Sequence, residues 1–244
     1  EKEKDETSLF DIQTTGNKVT AKLKDAKGSA DFYKYGIHTL KINVSLNIPA
    51  NATQEQMAAL KKQWKEHGHY DETKNVVTEN NTAKTTIDSK TSTTNQVTTT
   101  VEGPKKTVSD ADETNVTNNT VRSLADDWTY SITQKIAKNA NEKYTSFAFK
   151  DSIEQCMKIN SVKVKADNGK DVTSWFDVST VGNEVKATLK NPGSNDEFYK
   201  NNSYTMEINV KMDVPENATE EQLKSLRDRW KEHGHYTEDQ KIVK

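Results

Sequence analysis

Short runs of alternating apolar and polar residues recur along the chain, and most of them predict β-strands. WTYSITQKI sets Trp128, Tyr130 and Ile132 on one face. TSFAFKD sets Phe147, Phe149 and Asp151 on one face. MKINSVKVKA alternates through Ile159, Val162 and Val164 with a slip near Asn160, and EVKATL and YTMEINVKM continue the pattern. NGKD at Asn168–Asp171 reads as a turn between two of these runs. One stretch has a helical period instead. Met57, Leu60 and Trp64 fall at i, i+3 and i+7 and form a single apolar stripe. Thr53 with Gln56, and Thr219 with Gln222, have the spacing of capping boxes, and Gly68 is placed to end the helix. Such a helix is expected to cover an edge or pole of the sheets. Many short strands separated by turns predict a mainly β fold, a two-sheet sandwich.

The same pattern occurs twice. Lys4–Lys24 falls on Lys170–Lys190, an offset of 166 residues that holds without a gap to the last residue. DFYK at Asp31–Lys34 meets EFYK at Glu197–Lys200, and WKEHGHY at Trp64–Tyr70 recurs at Trp230–Tyr236. Residues 1–78 thus match 167–244, whereas Glu79–Gly103 and Pro104–Asp167 occur once. Pro104 follows the strand-like TTNQVTTTV and opens a new one, so Glu102–Pro104 is the expected boundary between repeats. Residues 1–103 are read as the C-terminal part of one repeat, and 104–244 as the N-terminal and central part of the next.

Composition narrows the classes. Hydrophobic residues make up 32% and charged residues 30% of the 244 residues, enough for a thin core. Abundant Thr and Asn favour strands and turns, and four prolines and nine glycines do not suit a flexible linker. A net charge of −2 without a basic stripe argues against a nucleic-acid partner. No apolar run reaches the roughly 20 residues of a membrane helix, so membrane insertion is not expected. No leader or C-terminal anchor is evident, so an exported parent would carry this sequence as an internal segment. The lone Cys156 excludes an intrachain disulfide, and a secreted β-protein of this kind needs another source of mechanical resistance.

Alternation points to one such source. In KTV, Lys106 shares the face of Val108; in FAFKD, Asp151 shares the face of Phe147 and Phe149; in NTAKTTI, Asn81 shares a face with Ala83, Thr85 and Ile87. Three polar groups are thus predicted to point into apolar surroundings, where each needs a partner. A neutral lysine amine is a nucleophile, and a protonated carboxyl can polarise an amide. Lys106 could attack the side-chain amide of Asn81 while Asp151 shuttles the proton, leaving an isopeptide crosslink and free ammonia. Lys105 remains an alternative to Lys106, and Asn80 or Asn95 to Asn81. Asp151 could instead cap a turn before Ser152.

The strings PKKTVSD, FAFKDSIE, DVTSWFD and TTNQVTTTVEGP resemble the isopeptide-forming repeats of Gram-positive surface proteins. They are similar to the C-terminal domains of antigen I/II adhesins and to pilin backbone domains. The resemblance implies an immunoglobulin-like (DEv-IgG) sandwich, here with one short amphipathic helix per repeat. It also implies a first-strand lysine, a central-strand aspartate and a last-strand asparagine as bond-forming residues, carried over to Lys106, Asp151 and Asn81. The implied role is an extracellular, cell-wall-anchored stalk or adhesin repeat, with no enzymatic turnover beyond its own crosslink and no cofactor. A second reading is a non-crosslinked binding module for a host protein or glycan.

The remaining chemistry is sparse. HGH at His67–His69 and His233–His235 offers two imidazoles without a third ligand, so a helix C-terminal role is expected rather than zinc. Cys156 reads as a small hydrophobe; Gln155 beside it would face the other way on a strand, which disfavours a thioester. The phase of the two half-repeats suggests neighbouring repeats or chains completing one another head to tail.

Overall fold

The computed structural model describes residues 4–49, 52–136, 143–234, 236–237 and 242–243. The chain divides into two compact units, Glu1–Met57 and Ala58–Lys244. In the first, strands β1 (Phe10–Thr15) and β2 (Lys18–Leu23) form an antiparallel hairpin. Gly16 supplies the positive φ that a two-residue turn requires. Phe32 then stacks on the His38 ring at 3.9 Å, and His38 Nδ1 lies 3.0 Å from Glu6 Oε2. Residues 35–49 follow without a β-ladder among the described residues.

The helix α1 (Gln54–Glu66) has the cap read from sequence. Gln56 N donates to Thr53 Oγ1 at 3.2 Å, and Thr53 N donates to Gln56 Oε1 at 2.9 Å. In the second unit, β3 (Tyr70–Asp71), β4 (Val76–Asn81) and β7 (Val97–Glu102) form a three-stranded sheet in sequence order, and β5 (Lys84–Ile87) pairs with β6 (Lys90–Thr93) as a separate hairpin.

The larger sandwich follows. Its strands are β8 (Lys105–Ser109), β9 (Asp127–Lys135), β10 (Ala148–Ser152), β11 (Met157–Ala166), β12 (Phe176–Val181), β13 (Glu184–Leu189) and β14 (Ser203–Met212). Helix α2 (Glu220–Glu232) and the short strands β15 (Tyr236–Thr237) and β16 (Ile242–Val243) complete it. One antiparallel sheet has the order β11-β14-β9-β8 and the other the order β10-β13-β12. Their inner faces share one core, with Trp128, Ile132, Val164, Tyr204, Met206, Ile208 and Val210 from the first sheet, and Phe149, Phe176, Val185 and Ala187 from the second. This is the mainly β, immunoglobulin-like sandwich the strand pattern and the resemblance imply. The slip read near Asn160 is a bulge between Ile159 and Ser161, and Gly169 takes a positive φ in the turn after β11. Leu226 and Trp230 of α2 are buried in this core, so the apolar stripe of the helix packs onto the sandwich.

β14 is the strand around which the core forms. It alternates without a break, with Tyr204, Met206, Ile208 and Val210 fully buried between β9 and β11. The Tyr204 hydroxyl donates to Phe198 O at 2.7 Å and accepts from Asn201 Nδ2 at 2.8 Å, and its ring stacks on Phe198. Burial pushes this phenol from its ordinary value near 10.0 up to about 12.

The expected repeat boundary at Glu102–Pro104 is not where the compact units divide, and a tight joint explains why. Gly103 N donates to Asn75 O at 2.8 Å, and Asn75 Nδ2 donates to Pro104 O at 2.7 Å. Asn75 Oδ1 accepts from Tyr70 Oη at 2.7 Å and from Lys61 Nζ at 3.0 Å. A Cβ on Gly103 would overlap the Asn75 side-chain amide, so a larger residue there would have to displace Asn75. Lys135 Nζ reaches Glu102 Oε2 at 2.6 Å across the same joint.

Two outcomes follow from β14. Met206→Ala is expected to cost about 2–5 kcal/mol in urea unfolding, whereas Leu40→Ala, at the matching position in the first unit, costs under about 0.5 kcal/mol because Leu40 is exposed. The folded chain holds the Tyr204 proton more tightly than the unfolded chain does. Stability is therefore expected to fall as pH rises through about 10 to 12, and Tyr204→Phe removes this part of the loss in alkaline unfolding curves.

Candidate functional site

Lys106 and Asp151 come from different sheets. Lys106 sits on the edge strand β8, opposite Ile132 of β9 and on the same side as the buried Val108. Asp151 sits on β10, an edge strand of the other sheet, opposite Val185. Lys106 Nζ donates to Asp151 Oδ2 at 2.6 Å, so the pair ties the open margins of the two sheets together. The aspartate side chain is mostly covered, with 16% exposure, while the lysine retains 45%. Such a charge-assisted bond is short and directional, and a partly covered carboxylate keeps it from full solvent screening.

The third wall is aromatic. The Lys106 ammonium lies 4.7 Å from the centroid of the Tyr130 ring, a cation–π arrangement, and Tyr130 meets Trp128 edge to face. Burial pushes the Tyr130 hydroxyl above its ordinary range, which keeps it neutral beside the pair. Asp151 Oδ1 also accepts from Ser152 N at 3.1 Å, so the turn-capping contact read as an alternative coexists with the lysine contact. The arrangement places an amine and a proton acceptor in direct contact against an apolar wall, with one side open.

Sequence reasoning had Lys106, Asp151 and their faces, but not Tyr130 as part of the site. The Val108–Tyr130 register that puts the ring under the ammonium is a cross-strand fact that local alternation does not reveal. Among the alternatives, Lys106 rather than Lys105 makes the Asp151 contact.

Asn81 is elsewhere. It ends β4, pairs with Val97 of β7, and is exposed together with Ala83, Thr85 and Ile87, instead of facing an apolar interior. The reason is local: β5 and β6 close on each other as a hairpin, leaving this Thr-rich stretch without a sheet to pack against. Asn80 Oδ1 accepts from Thr98 Oγ1, and Asn95 Nδ2 donates to Gln96 O. The structure therefore joins two of the three predicted site residues and leaves the asparagine in another sheet.

His67 serves the helix end, its Nδ1 donating to Gln63 O at 2.7 Å, whereas His69 Nδ1 turns to β4 and lies 3.4 Å from both Thr78 O and Glu79 Oε2. His235 lies outside the described residues. Among the described residues no cluster of His, Cys, Asp and Glu is arranged to hold a metal. Burial raises the Cys156 thiol above its ordinary range, which suits a packing role.

Residues 104–240, more than half of the chain, match the family described as the cell surface antigen I/II C2 terminal domain. The chain belongs to this family. The antigen I/II match begins at the Pro104 boundary read from the sequence and contains both Lys106 and Asp151. No curated protein matches the sequence. Among solved structures, the chain is similar to the major pilin subunit of Bacillus cereus, at 18% identity, with a TM-score of 0.36 over 57% of this chain and 39% of the pilin. A variant of the same pilin gives 16% identity and a TM-score of 0.38 over 57% and 40%. The pilus backbone of Streptococcus pneumoniae gives 19% identity and 0.31 over 45% and 27%. The chain thus spans about two fifths or less of the pilin chains it matches. As an antigen I/II C2 domain it belongs at a cell surface. No helix among its described residues is long and apolar enough to cross a membrane.

The ion pair is measurable by itself. A double-mutant cycle of Lys106→Ala and Asp151→Ala in urea unfolding is expected to give a coupling of about 0.3–1 kcal/mol. A coupling of zero would mean that the contact adds nothing measurable to stability.

Proposed function

We propose that this antigen I/II C2 chain is part of a tandem array in a Gram-positive, cell-wall-anchored stalk, and that each repeat is locked by a Lys–Asn isopeptide bond. The observation that carries this reading is the 2.6 Å contact between Lys106 Nζ and Asp151 Oδ2, which joins two edge strands from opposite sheets beside an aromatic wall. In the proposed step the Lys106 ammonium passes one proton to Asp151, and the freed amine attacks the side-chain carbonyl carbon of an asparagine at the Asn81 position of the repeat. The amine's second proton moves to the leaving nitrogen, ammonia departs, a new amide joins Nζ to the asparagine Cγ, and Asp151 releases the first proton to solvent. Nothing is consumed but the asparagine amide, and the bond forms once, so there is no turnover.

The phase of the chain decides which asparagine serves which lysine. At the 166-residue offset Lys244 corresponds to Thr78, so Asn81 lies in the tail of the first repeat and residues 167–244 hold no counterpart of it. Asn81 itself serves the lysine of the repeat in front of it, within one polypeptide or from a neighbouring chain. A bond from first to last strand closes a long loop, and loop entropy alone is worth about 5 kcal/mol by analogy with disulfides. The Asn75 clamp at Gly103–Pro104 fits the same role, since it lets one repeat pass into the next without a slack linker.

The test is intact mass under denaturing conditions. A chain continued past Lys244 by a second copy of residues 79–103 is expected to be lighter than its sequence mass by one ammonia. Lys106→Ala and Asp151→Ala are each expected to restore the full mass. Full sequence mass in the continued chain would contradict the crosslink.

A further inference from the structure

The four-stranded sheet buries one face in the core and turns a wholly polar face outward. Its registers set Lys105, Thr133, Thr205 and Lys165 side by side in one row, and Thr107, Ser131, Glu207 and Lys163 in the next. Further along, Lys211 stands between Asp127 and Lys158. These lysines come from β8, β11 and β14 and meet through strand pairing, which is why no basic stripe shows along the sequence.

The carboxylates of this face are already engaged. Glu207 Oε2 takes the Lys165 ammonium at 2.8 Å, and Asp127 Oδ2 accepts from Asn209 Nδ2 at 2.8 Å. At the margins, Glu102 holds Lys135 at 2.6 Å, and Asp171, beside Lys163 and Lys165, accepts from Thr173. Lys105, Lys158, Lys163 and Lys211 form no ion pair among the described residues, and the first three are exposed. The face therefore carries excess positive charge on a chain whose net charge is −2. Between the lysines lie hydroxyls. Thr133 Oγ1 and Thr205 Oγ1 share a hydrogen bond of 2.8 Å, and Ser131 follows Thr133 on the same side of β9.

We propose that this face binds an anionic polysaccharide, a sugar chain bearing sulfate or carboxylate groups. Adjacent strands lie about 4.8 Å apart and alternate residues of one strand about 7 Å, so Lys105 and Lys165 bracket about 14 Å and Lys163 follows about 7 Å on. Ammonium groups so spaced pair with the anionic groups, and the hydroxyls between them bond the ring hydroxyls of the sugar. Other polyanions fit less well. Bases of a single strand stack on aromatic rings, and no aromatic residue stands at the outward positions of these strands. A duplex groove admits a helix or a two-stranded ribbon, not the face of a four-stranded sheet. A phosphodiester polymer with a charge at every link leaves the hydroxyls between the lysines unmatched. The family's place at a cell surface puts the face where sugar chains are met.

Titration calorimetry of the full chain at about 0.15 M ionic strength tests the proposal, with heparin as the sulfated probe. Neutral dextran and a poly(glycerol phosphate) are the comparison chains. Heparin is expected to bind and dextran to give no heat. A variant with Lys105→Ser, Lys158→Ser, Lys163→Ser and Lys211→Ser is expected to lose about tenfold or more in affinity and to show a shallower salt dependence. A control variant, Lys150→Ser with Lys186→Ser on the outer face of the other sheet, is expected to stay within about twofold, since its lysines face away from the site. Thermal unfolding of both variants confirms that they are folded. Absence of heparin binding, equal losses in the two variants, or tighter binding of the phosphate polymer would each overturn the proposal.

Discussion

β14 depends on two neighbours that come from the other side of the repeat's turn-rich middle. Its inner face is fully apolar and fully buried, and such burial is the main favourable term in folding. β9 and β11 reach it from residues 127–166, so the sandwich exists only when an early and a late part of the repeat meet.

That constraint also explains the placement of the site. First-to-late strand association brings β8 to the margin of one sheet and β10 to the margin of the other, and Lys106 and Asp151 meet across the gap. A bond made at that point would tie together the parts that unfolding under tension must separate. The Asn75 side chain likewise ties β4 to the chain at Gly103–Pro104, just before β8.

Local features were legible in the sequence because short-range chemistry specifies them. The capping boxes at Thr53 and Thr219, the bulge at Asn160 and the Gly169 turn all follow from neighbouring residues. Period two placed Lys106 on the side of Val108 and Asp151 on the side of Phe149, but Lys106 does not point into apolar surroundings as that alternation suggested: it sits on an edge strand and stays 45% exposed. Non-local facts were not legible. The alternation in 203–212 recurs in 37–46, yet the first is core and the second is exposed. The Tyr130 wall needed a register, and the placement of Asn81 needed the hairpin β5–β6 to be known.

Single-molecule extension addresses the central claim most directly. A chain continued past Lys244 by a second copy of residues 79–103 is pulled from its two ends. If the repeat is covalently closed, residues between Lys106 and the added asparagine contribute no contour length, and Lys106→Ala releases them. Full extension of the unmutated chain would contradict the account.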